Sequence, residues 1–141
     1  MTSYFLGVDG GGTKTLAVIA DAAGRIVGFA RGEGSNWTEE DPSVPMAVVV
    51  DVTRRALANA GLTGDEVALG VFALAGADWP EDHTRREDIL RRAGLARDLR
   101  VKNDSFAGLR AGSREPYGVV VLAGTERNAA AIARDGREIA L

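Results

Sequence analysis

The stretch that decides the fold runs from Tyr4 to Ala20 and reads YFLGVDGGGTKTLAVIA. Two short runs of aromatic and branched side chains flank the glycine-rich segment 9–13, and this arrangement predicts two strands joined by a tight turn. A second turn at 21–25 leads into a third apolar run at 26–30. The first 31 residues are therefore predicted to form an antiparallel meander.

Beyond the meander, predicted helices alternate with predicted strands. This alternation favours an α/β fold with a mixed sheet, antiparallel in its first three strands and parallel in its middle, with flanking helices. After a loop at 31–45, Gly61 and Gly94 are typical stops for the first two helices. Helices are predicted at 44–60, 79–93 and 104–111, and strands at 67–75, 99–102, 117–123, 128–133 and from 138.

Composition limits the classes of function. A length of 141 residues fits one compact domain, and the absence of cysteine excludes disulfides and thiolate metal sites in this chain. A net charge of −3 is a poor basis for binding a polyanion, so no nucleic-acid partner is expected. The N-terminus lacks a basic region followed by a long apolar stretch, which predicts a soluble, cytoplasmic protein with no membrane partner.

Glycine is the compositional outlier, with 18 residues, and its first cluster lies in the turn between the first two strands. Glycines let a ligand approach the backbone, and consecutive N–H groups can bind an anion. The spacing matches neither common nucleotide-binding glycine motif, because a strand follows. The turn is therefore either a phosphate site or an ordinary hairpin. Its candidate phosphate-binding residues are Gly10, Gly11, Gly12, Thr13, Lys14 and Thr15.

A second turn of similar composition contains Gly124 and Thr125, again between two predicted strands. Two such turns could hold a polyphosphate from two sides. Asp9 ends the strand that enters the first turn. A carboxylate beside phosphate donors suits Mg²⁺, bound directly or through water.

Asp104 lies where a predicted strand ends and a helix begins. One interpretation is an ordinary N-cap, which satisfies free N–H groups of the first helical turn. The other is a general base for phosphoryl transfer, since ligands of open α/β sheets bind at the carboxyl ends of the strands.

Other polar residues have simpler interpretations. The charges at 85–88 and 91–92 alternate in sign at helical spacing, which predicts a solvated, ion-paired face. His83 is predicted to be a surface histidine and Lys102 a charge at a strand end. Trp37 could stack on a sugar or fill the loop against the sheet.

Five segments together resemble a known family. In this order they are similar to the N-terminal half of N-acetylglucosamine kinases, which belong to the BadF/BadG/BcrA/BcrD-type ATPase family within the actin, sugar kinase and Hsp70 superfamily. The segments are Phe5 to Thr15, Gly34 to Trp37, Leu74 to Ala77, Asn103 to Ser105, and Leu122 to Thr125 with Asn128 to Ile132.

The resemblance implies a ribonuclease H-like (actin-like ATPase) lobe that phosphorylates N-acetylglucosamine or a similar amino sugar with ATP. It implies that Asp9 helps hold Mg²⁺, that both glycine turns contact ATP phosphates, and that Asp104 activates the sugar hydroxyl. Contacts to the sugar are implied for Asn36, Gly76, Ala77, Asn103 and Asp104.

The resemblance also implies that residues 1–141 form the N-terminal lobe of a two-lobed protein whose second lobe is absent from this chain. Since closure needs both lobes, little or no kinase turnover is expected from the chain alone. The sequence leaves undecided whether the full-length protein forms a homodimer.

Two alternatives remain. One is an ATPase activator of a dehydratase or reductase, against which the lack of cysteine weighs. The other is a degenerate lobe that binds a ligand or partner without chemistry. It is motivated by the missing second lobe and by Glu126 and Arg127, which stand where the family has glycine and serine in its second phosphate turn.

Overall fold

The structure, a computed structural model, describes residues 2–36, 41–124 and 127–141. Its strands form two sheets, one of five strands in the order β3-β2-β1-β4-β5 and one of three strands in the order β6-β7-β8. The strands are β1 Tyr4–Gly10, β2 Lys14–Asp21, β3 Ile26–Glu33, β4 Val67–Leu74, β5 Asp98–Asn103, β6 Gly118–Ala123, β7 Arg127–Ile132 and β8 Glu138–Ala140. The helices are α1 Ser43–Ala60, α2 Pro80–Ala93 and α3 Asp104–Gly112, with a short 3₁₀ turn at Gly64–Glu66.

The five-stranded sheet confirms the predicted α/β class and mixed sheet. Strands β1, β2 and β3 are antiparallel neighbours, whereas β4 and β5 run parallel to β1. Strand β3 continues to Glu33, into the segment predicted as a loop. The extension occurs because residues 31–33 keep their pairing with residues 14–16 of β2.

One face of this sheet forms the core with α1 and α2. Alternate residues of each strand point to this face, as the period of two requires. Apolar side chains from the sheet and the two helices fill it, among them Val8, Ile19, Phe72, Leu74, Leu99, Val49, Val52 and Leu90. The opposite face carries the other set, which includes Asp9, Val71 and Lys102.

The last three strands form a separate antiparallel sheet instead of joining the first one. Their mutual pairing satisfies the backbone groups between them, and the sheet packs on α3. Contact with α3 is close, since a Cβ added at Gly108 would lie 3.0 Å from Leu122 Cδ2. Helix α3 therefore lies between the two sheets.

The helix stops agree with the sequence prediction. Gly61 and Gly94 follow α1 and α2 with φ of 67° and 64°, the left-handed conformation that glycine adopts without a steric penalty. Among the helices of the described ranges, none has the length and apolar content that a membrane span requires.

Candidate functional site

The carboxyl ends of three parallel strands lie side by side. Gly10 of β1 pairs with Leu74 of β4, and Leu74 pairs with Asn103 of β5. Because neighbouring strands are about 4.8 Å apart, Gly10 and Asn103 are separated by roughly 10 Å across the sheet. The glycine-rich turn, the segment after β4 and the start of α3 therefore meet at one edge.

The glycine-rich turn is a tight hairpin between β1 and β2. The Gly11 N–H donates to Lys14 O at 3.0 Å, which closes the turn. Gly12 and Thr13 form its exposed tip, and their N–H groups make no hydrogen bond within the described residues. The Lys14 side chain is exposed and likewise has no ion pair there. The tip thus presents donors and a positive charge to solvent.

The Gly34-Ser35-Asn36 segment is fixed against this turn. The Ser35 N–H donates to Gly11 O at 2.9 Å, and the buried Thr15 Oγ1 donates to Ser35 Oγ at 2.8 Å. Gly34 lies so close to the Gly12 carbonyl that a Cβ would overlap it. Thr15, a candidate phosphate ligand, is therefore used as an internal link between turn and loop.

This placement brings Asn36, a candidate sugar contact, to the same edge of the sheet. Its side chain is half-buried. For Trp37, the sequence analysis left two roles open, stacking on a sugar or filling the loop against the sheet. Trp37 lies outside the described residues.

The segment after β4 is tied to the glycine turn by the backbone. The Ala75 N–H donates to Gly10 O at 2.8 Å, and the Ala77 N–H donates to Leu74 O at 3.2 Å. Gly76 has φ of 70°, which permits the sharp turn between them. Gly76 and Ala77, the candidate sugar contacts, are thus held next to the predicted phosphate turn.

Arg86 fixes the same segment from the side of α2. Its side chain is only 1% exposed, and Nη1 and Nη2 donate to Ala75 O at 3.1 Å and to Gly76 O at 2.9 Å. Burial lowers the pKa of the Arg86 guanidinium, and the nearby carboxylates of Asp82 and Asp78 oppose this effect. The arginine acts as a clamp on the two carbonyls.

The prediction that the charges at 85–88 and 91–92 form a solvated face is therefore wrong for Arg86. Leu90, four residues after Arg86 in α2, is fully buried. Arg86 therefore lies on the helix face that packs against the core. That spacing is the signal in the sequence that could have identified it. The alternating charges concealed the signal, although Arg91 and Glu87 do form the expected exposed pair at 3.3 Å.

His83 is less exposed than a surface histidine. It is half-buried, and Nε2 lies 2.8 Å from Ala77 O. This hydrogen bond adds a third contact from α2 to the segment after β4, so His83 has a structural partner.

Asn103, rather than Asp104, is the N-cap of α3, so the N-cap prediction for Asp104 is wrong. Asn103 Oδ1 accepts from the Ser105 N–H at 2.9 Å, while Asp104 is the first helical residue. Asn103 Nδ2 donates to Asp78 Oδ1 at 2.6 Å. Asp104 is left half-buried at the carboxyl end of β5, where the alternative role of a base requires it.

Asp9 lies on the face of the sheet opposite α1. Its carboxylate is exposed and has no hydrogen bond or ion pair within the described residues. It borders a cleft of about 690 Å³ between the two sheets, to which Phe106 and Lys102 also contribute. Lys102, a strand-end charge as predicted, pairs with Glu138 Oε2 at 2.7 Å and so links the sheets.

Asp9 fits one kind of magnesium site. Mg²⁺ is usually bound by one or two carboxylates together with waters and substrate phosphates. An exposed carboxylate one residue before the glycine turn meets that description. In the described part of the chain, no group of three or more acidic, histidine or cysteine side chains could hold a metal by itself.

The second predicted phosphate turn is described only at its ends. Gly124 is exposed directly after β6, and Arg127 begins β7 opposite Ala123. Thr125 and Glu126 lie outside the described residues. The clamping of a polyphosphate by the two turns stays a prediction.

The chain is similar in sequence to known proteins. Residues 6–140 match the sequence model of the BadF/BadG/BcrA/BcrD ATPase family. The chain is 28% identical over 122 residues to an N-acetylmuramic acid/N-acetylglucosamine kinase from Clostridium acetobutylicum. The match covers 86% of this chain and 40% of that kinase, so the chain spans about two fifths of the relative's length.

Solved structures share the fold. A candidate N-acetylglucosamine kinase from Chromobacterium violaceum superposes with a TM-score of 0.73 at 25% identity, over 97% of this chain and 47% of that protein. A ROK family glucokinase from Streptomyces griseus, solved with glucose and AMPPNP, gives a TM-score of 0.65 at 22% identity, over 96% and 47% of the two chains. The fold is therefore that of the actin-like ATPases and sugar kinases.

Proposed function

The chain belongs to the BadF/BadG/BcrA/BcrD ATPase family, and from that premise we propose that it is the N-terminal lobe of an ATP-dependent kinase for N-acetylglucosamine or a similar amino sugar. The observation that carries the proposal is the meeting of three elements at the carboxyl edge of the sheet. These are the glycine turn after β1, the segment after β4 and Asp104 after β5.

The glycine turn would bind phosphate. The exposed N–H groups of Gly12 and Thr13 and the charge of Lys14 are suited to phosphate oxygens. Glycine at position 10 lets Ser35 and Leu74 approach to within 2.6 and 2.7 Å of where a Cβ would lie, so the turn stays compact. Gly124 and Thr125 would form the second phosphate contact.

Asp104 would accept the proton of the attacking sugar hydroxyl. It lies at the strand end next to the segment that contains Gly76 and Ala77, where the sugar would bind together with Asn36. Phosphoryl transfer depends chiefly on positioning and charge neutralisation. The short backbone links between Gly10, Gly11, Ser35 and Ala75 supply such positioning.

Asp9 would hold Mg²⁺, directly or through water. Bound there, the ion would neutralise charge on the phosphates of ATP. The Asp9 side chain contributes an exposed carboxylate on the face next to the turn.

The test is a search for sugar phosphate. The protein, expressed at the length its reading frame encodes, is incubated with ATP, Mg²⁺ and N-acetylglucosamine, and product is measured by mass spectrometry. Asp104→Asn should abolish product by removing the base. Asp88→Asn, an exposed carboxylate on α2 without a hydrogen bond within the described ranges, should leave turnover unchanged.

The same assay separates the alternatives. Wild-type turnover by Asp104→Asn contradicts the assignment of the base. ATP hydrolysis without sugar phosphate indicates the ATPase activator, and binding without either reaction indicates the non-catalytic lobe. If Glu126→Gly creates activity where none existed, the lobe is degenerate.

A further inference from the structure

Asp78 presents, beside the proposed sugar site, a carboxylate oxygen that no other described residue contacts through a hydrogen bond. It follows Ala77 in the segment between β4 and α2, and its side chain is exposed. Oδ1 accepts from Asn103 Nδ2 at 2.6 Å. Oδ2 has no hydrogen bond within the described residues, so one acceptor oxygen faces solvent.

The Asn103 side chain, by contrast, makes its hydrogen bonds within the protein. It is 1% exposed, and its side chain caps α3 and donates to Asp78. Asn103 Oδ1 also lies 3.4 Å from Asn128 Nδ2 of β7. A side chain this buried, with both its oxygen and its nitrogen hydrogen-bonded to the protein, is poorly placed to contact a sugar, although the family resemblance assigns it that contact.

The position of Asp78 is fixed from two directions. Asn103 holds its carboxylate, and Arg86 holds the carbonyls of Ala75 and Gly76, which lie three and two residues before it. The positive charge of Arg86 also interacts with Asp78. An acceptor oriented by such a supporting shell can recognise a donor group with little loss of entropy on binding.

We propose that Asp78 is a substrate-contacting residue that determines specificity, and that Asn103 is its positioning residue. The free Asp78 oxygen accepts a hydrogen bond from a ring hydroxyl of the sugar. A carboxylate is an acceptor only, so it selects ligands that place a donor at this point and disfavours those that lack one. The inference rests on the proposed sugar kinase function.

The test is a calorimetric titration of the protein with N-acetylglucosamine, which measures the affinity for the sugar. Asp78→Asn retains the shape of the side chain and an oxygen for Asn103, but it removes the charge of the acceptor. We expect the affinity to fall about tenfold, as for loss of a charge-assisted hydrogen bond. The matched control Asp88→Asn on the exposed face of α2 should bind like the unsubstituted protein.

Monodeoxy analogues of the sugar identify the hydroxyl. One analogue should bind the unsubstituted protein about tenfold more weakly than the parent sugar, and that difference should shrink in Asp78→Asn. Thermal unfolding monitors the fold, and Asp78→Glu replaces Asp78→Asn if the latter unfolds. Glutamate would keep the charge but displace the oxygen. The difference in affinity between the parent sugar and the same analogue should therefore shrink in this variant too.

The outcomes are distinguishable. Equal affinity of Asp78→Asn and the unsubstituted protein for the sugar overturns the role of Asp78 and leaves the proposed function intact. Absence of sugar binding by the unsubstituted protein overturns the proposed function, and the role of Asp78 with it.

Discussion

Thr15 Oγ1 donates a 2.8 Å hydrogen bond to Ser35 Oγ, which joins the first hairpin to a loop twenty residues away in the sequence. Both side chains are buried, with exposures of 0% and 5%. The glycine turn and the Gly34-Ser35-Asn36 segment therefore depend on each other.

Replacement of Ser35 by alanine should lower the free energy of unfolding by about 1–3 kcal/mol, because the buried Thr15 hydroxyl loses its acceptor. Urea denaturation measures the change. The double variant Thr15→Val with Ser35→Ala should cost less than the sum of the two single variants, since both remove the same bond. Strict additivity would show that the two hydroxyls are not coupled.

Gly10→Ala should destabilise the protein by about 1–3 kcal/mol through overpacking. A Cβ at this position would lie 2.6 Å from Ser35 Oγ and 2.7 Å from Leu74 Cδ2. Gly7→Ala is the matched control in β1, because a Cβ there meets nothing within 4 Å. Equal unfolding midpoints for the two variants would contradict the close packing of the turn.

Arg86→Lys should cost about 1–3 kcal/mol of unfolding free energy. The single ammonium of lysine cannot reproduce the two hydrogen bonds that the guanidinium donates to Ala75 O and Gly76 O. Hydrogen exchange at the Ala75 amide, which donates to Gly10, should accelerate. Arg92→Lys on the exposed side of α2 is the control, and a similar loss in both variants would count against a specific clamp.

Asp21 should contribute stability that is lost in acid. Its carboxylate accepts from the N–H groups of Arg25 and Ala23, each at 3.0 Å. The Arg25 N–H is the main reason that the pKa of this carboxyl is lowered in the folded protein, against the opposing effect of burial. The contribution is therefore full above the pKa of an unfolded aspartate, about 3.9, and is lost as the pH falls from there through the lower pKa of the folded protein.

Thermal unfolding between pH 7 and pH 2 measures this dependence. Asp21→Asn should lower the midpoint at pH 7 and reduce the further decrease in acid. Asp88→Asn serves as the control, because that exposed carboxylate has no bond within the described ranges. A variant at position 21 that retains the full acid dependence of the unsubstituted protein would locate the effect elsewhere.

The glycine turns and the strand-end position of Asp104 could be located from local sequence patterns, whereas the candidate sugar contacts came from the family resemblance. Short runs of aromatic and branched side chains and the turn glycines predicted the β1–β3 meander, and the order of helices and strands placed Asp104 at a strand end. These features depend on neighbours within a few residues, which is why a linear pattern records them. The N-cap was misplaced by one residue, because Asn103 and Asp104 are both good capping residues.

Asp78 could not be assigned in this way, and the four-residue spacing of Arg86 from Leu90 indicates that Arg86 faces the core but not which groups it binds. Their partners lie at Ala75, Gly76 and Asn103, which approach them only when β4, β5 and α2 pack together. Within the linear sequence, Arg86 is one charge in an alternating run, and burial is a property of the assembled fold.

The sequence by itself determined where the chain turns, because the conformational freedom of glycine and the alternation of side chains act locally. The tertiary structure decided which polar groups remain available. It buried Thr15, Arg86 and Asn103 in hydrogen bonds between distant segments and left Asp9, Lys14 and Asp78 exposed at the edge of the sheet. Since a buried polar group must find a partner, packing divides these residues between hydrogen bonds inside the fold and exposure to solvent.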